Sequence, residues 1–496
     1  GSRPDSGPGP VVFHLQTMIS APTRRETFLV LAALSLGAAL TAAIDFPPMA
    51  APPSMFKAHR DRFLAKLPPD SAAILRSAPM RMMSNDTEYP YRQGSDFYYL
   101  TGYDEPDAIA LLRPSAADGK KFILFVQGHD ARRESYEGKR PGPEGAVARF
   151  GADAAFPVED FSRSLLRFDF ATRSMGGYLA GVEKIYFLDG GDSAFAQKFR
   201  DAMESYRANG AGPATTVDAR DIVHELRLVK DSDEIALVKR AAQITARGHI
   251  LAMKAAAPGK YEFEVQEALD GYCYANGVRR MAYPSIVGSG PNSVFLHWDR
   301  NDRQMKDGEV VLNDSGAEYA LYATDITRTY PVNGKFSAEQ RAVYEIVLAA
   351  QKAAMAIVKP GIRHEEVEKT SARIQAEGLV RLGLLSGDPE SLVKSSAHRK
   401  FTLHGVSHWV GLDVHDAGPY QAAGASRVLE PGMVFTIEPG IYVPADTAGV
   451  DPKWWNIGVR IEDTVLVTKD GYECLSCGAP REIADVEKTV LSGRSP

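Results

Sequence analysis

The sequence predicts an α+β protein, with an N-terminal α/β domain over residues 51–220 and a C-terminal domain over 221–490 built by internal duplication. Three observations carry this. A chain of 496 residues exceeds what one ordinary hydrophobic core accommodates. Its first half alternates strand-like and helix-like runs. Its second half carries the same helix, Pro-Gly stop and helix twice, about a hundred residues apart.

The elements follow in chain order. Residues 1–17 read as appended or of uncertain origin, with Met18 as the expected start. Arg24-Arg25 then precedes the apolar run Phe28 to Ala43, which ends in small residues, so 18–50 reads as a secretory signal. The arginine pair suggests the twin-arginine type and export to the periplasm, although Glu26-Thr27 puts one residue too many before Phe28. A buried N-terminal helix in a cytoplasmic protein is the competing reading. The apolar run falls short of the ~18 residues of a membrane span.

From Met55 to Asp218, strands are expected at Ala72–Leu75, Phe122–Val126 and Lys184–Leu188, with helical stretches between. Arg132-Arg133-Glu134 reads as a solvated turn. The pattern changes at Arg227-Leu228-Val229-Lys230. Asp231 with Glu234 forms a capping-box signature, and Ile235, Val238, Ala242 and Thr245 share one helical face. Ala257-Pro258-Gly259 stops that helix, and a second runs through Tyr274. Ser337 to Gln340 opens the repeat, with Val343, Ile346, Val347, Ala350 and Ile357 on the apolar face. Lys359-Pro360-Gly361 ends it, and another helix begins near Glu365.

Composition narrows the function classes. The chain is 44% apolar and 24% charged with a net charge of -6, and no basic stripe with interleaved aromatics indicates a nucleic-acid partner. Three cysteines are too few for a disulfide scaffold. Cys474-Leu-Ser-Cys477 reads as a pair of inert thiols, with a small redox or disulfide role as the alternative, because Cys273 alone cannot complete a structural zinc site.

The candidate chemistry lies in the second half. Glu309–Asp314 reads as a strand, and a second runs from Tyr319 to Tyr330. A hairpin centred near Ala317–Tyr322 would set Asp314 beside Asp325. Alone, that pair fits a metal site and a solvated hairpin edge equally well. Further on, His404, His408 and His415 fall within twelve residues in a Gly-rich segment unlike the helical HExxH signature. Met433–Ile437 is an apolar strand ending at Glu438, and Ile457–Asp463 carries Glu462 among β-branched residues. A carboxylate at the inner end of an apolar strand is costly without a partner. The four carboxylates Asp314, Asp325, Glu438 and Glu462 match the charge of two divalent cations. Oxygen-rich ligation with one imidazole suits Mn²⁺ or a similarly hard ion, with Co²⁺ or Zn²⁺ as alternatives. Two such ions about 3.5–4 Å apart activate a bridging water and polarise a carbonyl.

These motifs resemble a known family. The runs Asp314-Ser-Gly, Asp325-Ile-Thr-Arg-Thr, His404-Gly-Val-Ser-His408, His415-Asp416, Glu438-Pro-Gly and Arg460-Ile-Glu462-Asp463 closely resemble the Xaa-Pro aminopeptidases (aminopeptidase P). Tyr89 to Gly102 resembles that family's N-domain signature. The resemblance implies a "pita-bread" catalytic domain behind a creatinase-like α/β domain. It further implies release of the N-terminal residue from peptides with proline second, by attack of a metal-bridging hydroxide. By position, Asp314 would chelate one metal, Asp325 and Glu462 would bridge both, and His408 with Glu438 would complete the other. Glu438 would also shuttle the proton. His297 and His415 resemble the family's substrate-binding histidines, and His404 and Arg460 resemble its supporting residues. A homo-oligomer, dimer or tetramer, is also implied. Gly288-Ser-Gly290-Pro-Asn is Gly-rich, but no following helix is expected and no nucleotide role is assigned. Two departures bear on preference beyond the proline: a longer loop over Pro419–Ser426, and Tyr136 where the family often has Trp. The competing functions are a prolidase, which accepts only dipeptides, and a metal-free binding protein of the same fold.

Overall fold

The first strand of the N-terminal domain, β1 (Ser71–Arg76), is apolar and buried along nearly its whole length, as a central strand covered on both faces must be. A computed structural model describes residue 46 and residues 49–164, 168–169, 174–175, 178–209 and 213–494. The expected signal segment lies outside the described residues but for Phe46, Met49 and Ala50. The remaining N-domain strands are β2 (Ile109–Leu112), β3 (Phe122–Val126), β4 (Ala154–Pro157), β5 (Lys184–Leu188) and β6 (Thr215–Asp218). They form one mixed sheet in the order β6-β5-β1-β2-β3-β4. β1 runs parallel to β5 and antiparallel to β2; β6 also runs parallel to β5, so a crossover helix, Ser193–Ala208, returns the chain between them. Arg132-Arg133-Glu134 is helical rather than a turn: Asp130 caps the helix Ala131–Glu137 by accepting from the Arg132 and Arg133 amides. Tyr136 on that helix is 83% exposed.

The C-terminal domain shows the two expected helix pairs. The first is Ser232–Ala255, with the Asp231/Glu234 capping box in place, followed by Glu262–Ala275. The second is Ala338–Ala356, capped by Ser337 and Gln340, followed by His364–Arg381. Each pair backs a set of short antiparallel strands. In the first half β7 (Ile286–Ser289) pairs with β8 (Val310–Asp314), which pairs with β11 (Thr327–Pro331). In the second, β12 (Val434–Ile437) pairs with β15 (Asp463–Val467), and β13 (Gly440–Val443) pairs with β14 (Ile457–Arg460). The halves meet where the Glu462 amide donates to the Thr327 carbonyl at 3.0 Å. Both domains belong to a single compact unit.

Four sequence expectations are corrected by the structure. The run Tyr319–Tyr330 is not one strand: β9 (Ala317–Tyr319) and β10 (Tyr322–Ala323) make a separate hairpin before β11. Its two turn residues, Ala320 and Leu321, both have positive φ, as a two-residue hairpin turn requires for its twist. Asp314 consequently pairs with Thr327, and Asp325 lies outside the ladder. Ile457–Asp463 likewise breaks at Ile461–Glu462. The Gly-rich stretch does lead into a helix, a single 3₁₀ turn over Gly290–Val294. Cys474 and Cys477 are not free thiols but a disulfide.

Gly316 shows how tightly this region is set. A Cβ there would collide with the Thr324 carbonyl oxygen and press within 3.1 Å of the Tyr283 ring. Overpacking of this kind typically costs about 1–3 kcal/mol. Gly316→Ala is therefore expected to lower unfolding free energy by roughly that amount in urea titrations, and a variant as stable as the parent would contradict the packing described.

Candidate metal centre

Four strand ends and one turn deliver the site. Asp314 ends β8, Asp325 precedes β11, Glu438 follows β12, and Glu462 occupies the break between β14 and β15. His408 is set against β12 by two bonds to one residue: its amide donates to the Thr436 hydroxyl at 3.1 Å, and its carbonyl accepts from the Thr436 amide at 2.9 Å. These residues share a cavity of about 570 Å³ with His297, His404, His415 and Arg460. Every sequence-predicted site residue is thus brought to one place. Asp325, His408 and Glu462 present ligand atoms within 4.8 Å of one another.

Electrostatics show what the cluster lacks. Burial and the neighbouring Asp314 push the Asp325 carboxyl well above the usual carboxylate range. Burial, then Asp325 and Glu438, do the same to Glu462. Burial also raises Glu438, against the opposing pull of His408 and Arg460. Asp314 alone is lowered: burial works against it, but the Arg460 guanidinium, 2.6 Å away, prevails. Carboxylates this close cannot all ionise without added positive charge.

The hydrogen-bond pattern places that charge. The His408 Nδ1 faces the Trp409 carbonyl at 3.2 Å, which assigns the proton to Nδ1 and leaves a lone pair on Nε2. That lone pair faces carboxylate oxygens of Glu438 at 3.3 Å, Asp325 at 3.4 Å and Glu462 at 3.8 Å. Once those carboxyls ionise, only acceptors meet there among the described residues. Glu462 Oε2 accepts from the Thr327 hydroxyl at 2.6 Å, whereas its buried Oε1 has no hydrogen-bond partner among the described residues. An orphaned carboxylate oxygen facing an imidazole lone pair is what a cation site requires. The residues fit divalent metal.

The surrounding residues were largely invisible in the sequence. The Tyr283 hydroxyl contacts both Asp314, at 2.6 Å, and Asp325. Arg460 spends its donors on Asp314, the Tyr442 hydroxyl (2.7 Å), Thr327 and the Leu296 carbonyl. The Tyr442 hydroxyl in turn donates to His404 Nε2 at 2.7 Å, while His404 Nδ1–H donates to the Gly405 carbonyl at 2.6 Å. Burial and Arg460 lower the His404 pKa to about 3, so the ring is neutral. His415 is lowered to about 4 by partial burial and His408. Arg460 and His404 were named from the sequence; of the other partners only Tyr442, two residues beyond Gly440 on an apolar strand, carried any signal: a buried hydroxyl needs a partner.

Comparison with known proteins agrees with this geometry. Residues 236–469 match metallopeptidase family M24, and residues 56–172 match the aminopeptidase P N-terminal domain. The chain is 39% identical to the Xaa-Pro aminopeptidase of Escherichia coli K12 over 444 residues, covering 88% of this chain and 98% of that protein. The chain belongs to the aminopeptidase P group of metallopeptidase family M24. It is 36% identical to Xaa-Pro aminopeptidase 3 of Rattus norvegicus, covering 84% of this chain and 80% of that one. The solved structure of Pseudomonas aeruginosa aminopeptidase PepP superimposes with a TM-score of 0.85 at 39% identity, covering 90% of this chain and all of that one. The fold is therefore the pita-bread domain behind an aminopeptidase P N-domain, and the protein is a metalloexopeptidase that uses divalent ions.

The raised carboxyls have a measurable consequence. Without divalent ions the folded cluster binds more protons than the unfolded chain at every pH between the ordinary carboxyl value, about 4, and the raised values of Asp325 and Glu462. Stability of the chelated protein should therefore fall as pH rises across that interval. Thermal melts between about pH 5 and 8 are expected to show this slope in chelator and to lose it once divalent ions are added. An unchanged slope would contradict the charge assignment.

Proposed function

We propose that the chain releases the N-terminal residue from peptides with proline in second place, using two divalent ions held by Asp314, Asp325, His408, Glu438 and Glu462. The single observation that carries the ligand assignment is the His408 Nε2 lone pair surrounded by carboxylate oxygens. For substrate, the support comes from the relatives. They are named Xaa-Pro aminopeptidases, and the E. coli enzyme is described in complex with substrate and with the inhibitor Pro-Leu. Mn²⁺ is the ion that an oxygen-rich set with one imidazole favours. Zinc is the alternative, since the E. coli enzyme is also described as zinc-substituted with product. Domain boundaries at 51–220 and 221–490 are part of the same reading, with the helix Arg220–Leu228 at the junction. Assembly as a dimer or tetramer rests on the family resemblance, and light scattering on the purified protein decides it.

When bound, the ions lower the pKa of a water and polarise the scissile carbonyl. The protein supplies the remainder. Glu438, half-buried on the cavity wall, takes the proton from the attacking water and passes it to the leaving proline nitrogen. His404, neutral and 3.4 Å from Glu438, shapes its surroundings without adding charge. Arg460 keeps Asp314 ionised. His297 is exposed at the cavity wall and donates a hydrogen bond to the substrate; His415, also exposed, covers the ring of His408 at a centroid distance of 4.1 Å.

The division between ligand and helper is testable. His408→Ala should lose metal and activity together, as elemental analysis and turnover of Ala-Pro-Ala would show. His297→Ala should keep both ions while kcat falls about 10²–10³-fold, the usual loss for one donor acting on the transition state. Equal metal loss in both variants would refute the assignment. Replacing the substrate proline by alanine should abolish turnover, and undiminished cleavage would refute the substrate class.

A further inference from the structure

The charged groups that line the cavity divide into two sets. Asp314, Asp325, Glu438 and Glu462 belong to the metal centre, and Arg460 is buried with its donors committed to Asp314, Tyr442, Thr327 and Leu296. The remaining acidic side chain on the wall is Asp299. It is exposed, and it follows His297 by two residues on the loop that the 3₁₀ turn delivers to the site. That loop is held from behind: buried Glu262 accepts from the Trp298 indole N–H at 2.9 Å, the Arg303 amide at 3.1 Å and the Ser289 amide at 2.7 Å. The Val287 amide also donates to the Trp298 carbonyl. Asp299 is thus an exposed carboxylate on a fixed support. The neighbouring Arg300 does not neutralise the wall from inside: its guanidinium lies over the Trp298 ring, 5.8 Å from the centroid, and it does not line the cavity.

We propose that Asp299 is a specificity-determining residue that selects peptides carrying positive charge at the third position, immediately after the proline. This rests on the X-Pro reading above. With the first residue's carbonyl at the metal centre, proline follows it, and the third residue is the first to reach the wall beyond His297, each residue spanning up to about 3.5 Å. A lysine or arginine there meets an unpaired carboxylate. A glutamate there, or the free carboxylate of an X-Pro dipeptide, meets the same negative wall, because the lining cation Arg460 is buried and its donors are committed. The interaction lies near water, so it is worth a modest factor and is screened by salt.

The experiment compares Ala-Pro-Lys-Ala-amide, Ala-Pro-Glu-Ala-amide and Ala-Pro-Ala-Ala-amide on the metal-loaded full chain at low and at about 0.5 M salt. The expected kcat/KM ratio of the Lys to the Glu peptide is about 10 at low salt, shrinking towards one at high salt. In Asp299→Asn the low-salt ratio should collapse towards one, through a loss for Lys and a gain for Glu. Lys-Pro-Ala-Ala-amide should show no comparable dependence on Asp299. A ratio near one in the parent, a ratio that survives Asp299→Asn, or an Asp299-dependent preference at the first position would each overturn the proposal. Failure of the X-Pro reading itself appears differently, as no cleavage of the neutral Ala-Pro-Ala-Ala-amide.

Discussion

Four carboxylates drawn into one low-dielectric pocket repel one another, and most of the second domain can be understood as the means of holding them there. Left alone, such a cluster would protonate or come apart, because isolated buried charge is far costlier than any single hydrogen bond returns. The protein answers with a graded set of partners. Arg460 neutralises Asp314, the Tyr283 hydroxyl lies between Asp314 and Asp325, and Thr327 supports one oxygen of Glu462. What remains without a partner among the described residues, the second oxygen of Glu462 beside the His408 ring, is what the proposed cations would meet. Partial compensation is the point: a fully neutralised cluster would have no affinity for metal.

Behind the site lies a second, fully buried charge system. Arg328 and Asp463 pair at 2.7 Å with both side chains inaccessible to solvent. Arg481, Gln351 and Ser476 also bond to Asp463, and Arg328 donates to the Glu462 carbonyl. A buried pair of this kind adds little net stability, but breaking it leaves a bare charge, so it fixes geometry more than it adds energy. It grips the backbone at Glu462 through that carbonyl. The Cys474–Cys477 disulfide closes the turn that presents Ser476 to Asp463. The link from pairing to function therefore runs through backbone placement, since the Glu462 break in the strand is where both halves of the duplication must agree.

The N-terminal domain reaches the site through ionic contacts as well. Buried Arg227 contacts Asp96 of that domain together with Asp413 and Asp416, and Lys230 pairs with Asp416 at 2.9 Å. Ser95 donates to Asp413 at 2.7 Å, and Arg92 bonds the Leu412 carbonyl. The loop so gripped is the one that carries His415. Near the same junction His59 points both ring nitrogens at acceptors, the Tyr99 carbonyl and Asp231. Although burial opposes the charge, Asp231 and Glu234 raise its pKa to about 9. The signature Tyr89–Gly102 thus has a physical meaning: it docks the N-domain against the catalytic loop.

Much of this protein was legible in its sequence. Capping boxes at Asp231 and Ser337, Pro-Gly stops and helical periodicity depend on neighbours within a few residues, so the duplication and the helices could be read directly. Carboxylates on apolar strands were equally legible, because their cost is local and demands a partner. The break in the ladder before Asp325, the helical state of Arg132–Glu134 and the bonding of Cys474 to Cys477 could not be read, since each depends on which alternative the surrounding chain stabilises. Tyr283, Thr327 and the Arg328–Asp463 pair were hidden for a further reason. A tyrosine or threonine in a strand looks the same in sequence whether it faces core or carboxylate. The sequence determined which residues could bind metal; only the tertiary structure decided their partners, because hydrogen bonds and charges reach across space between residues that are remote along the chain.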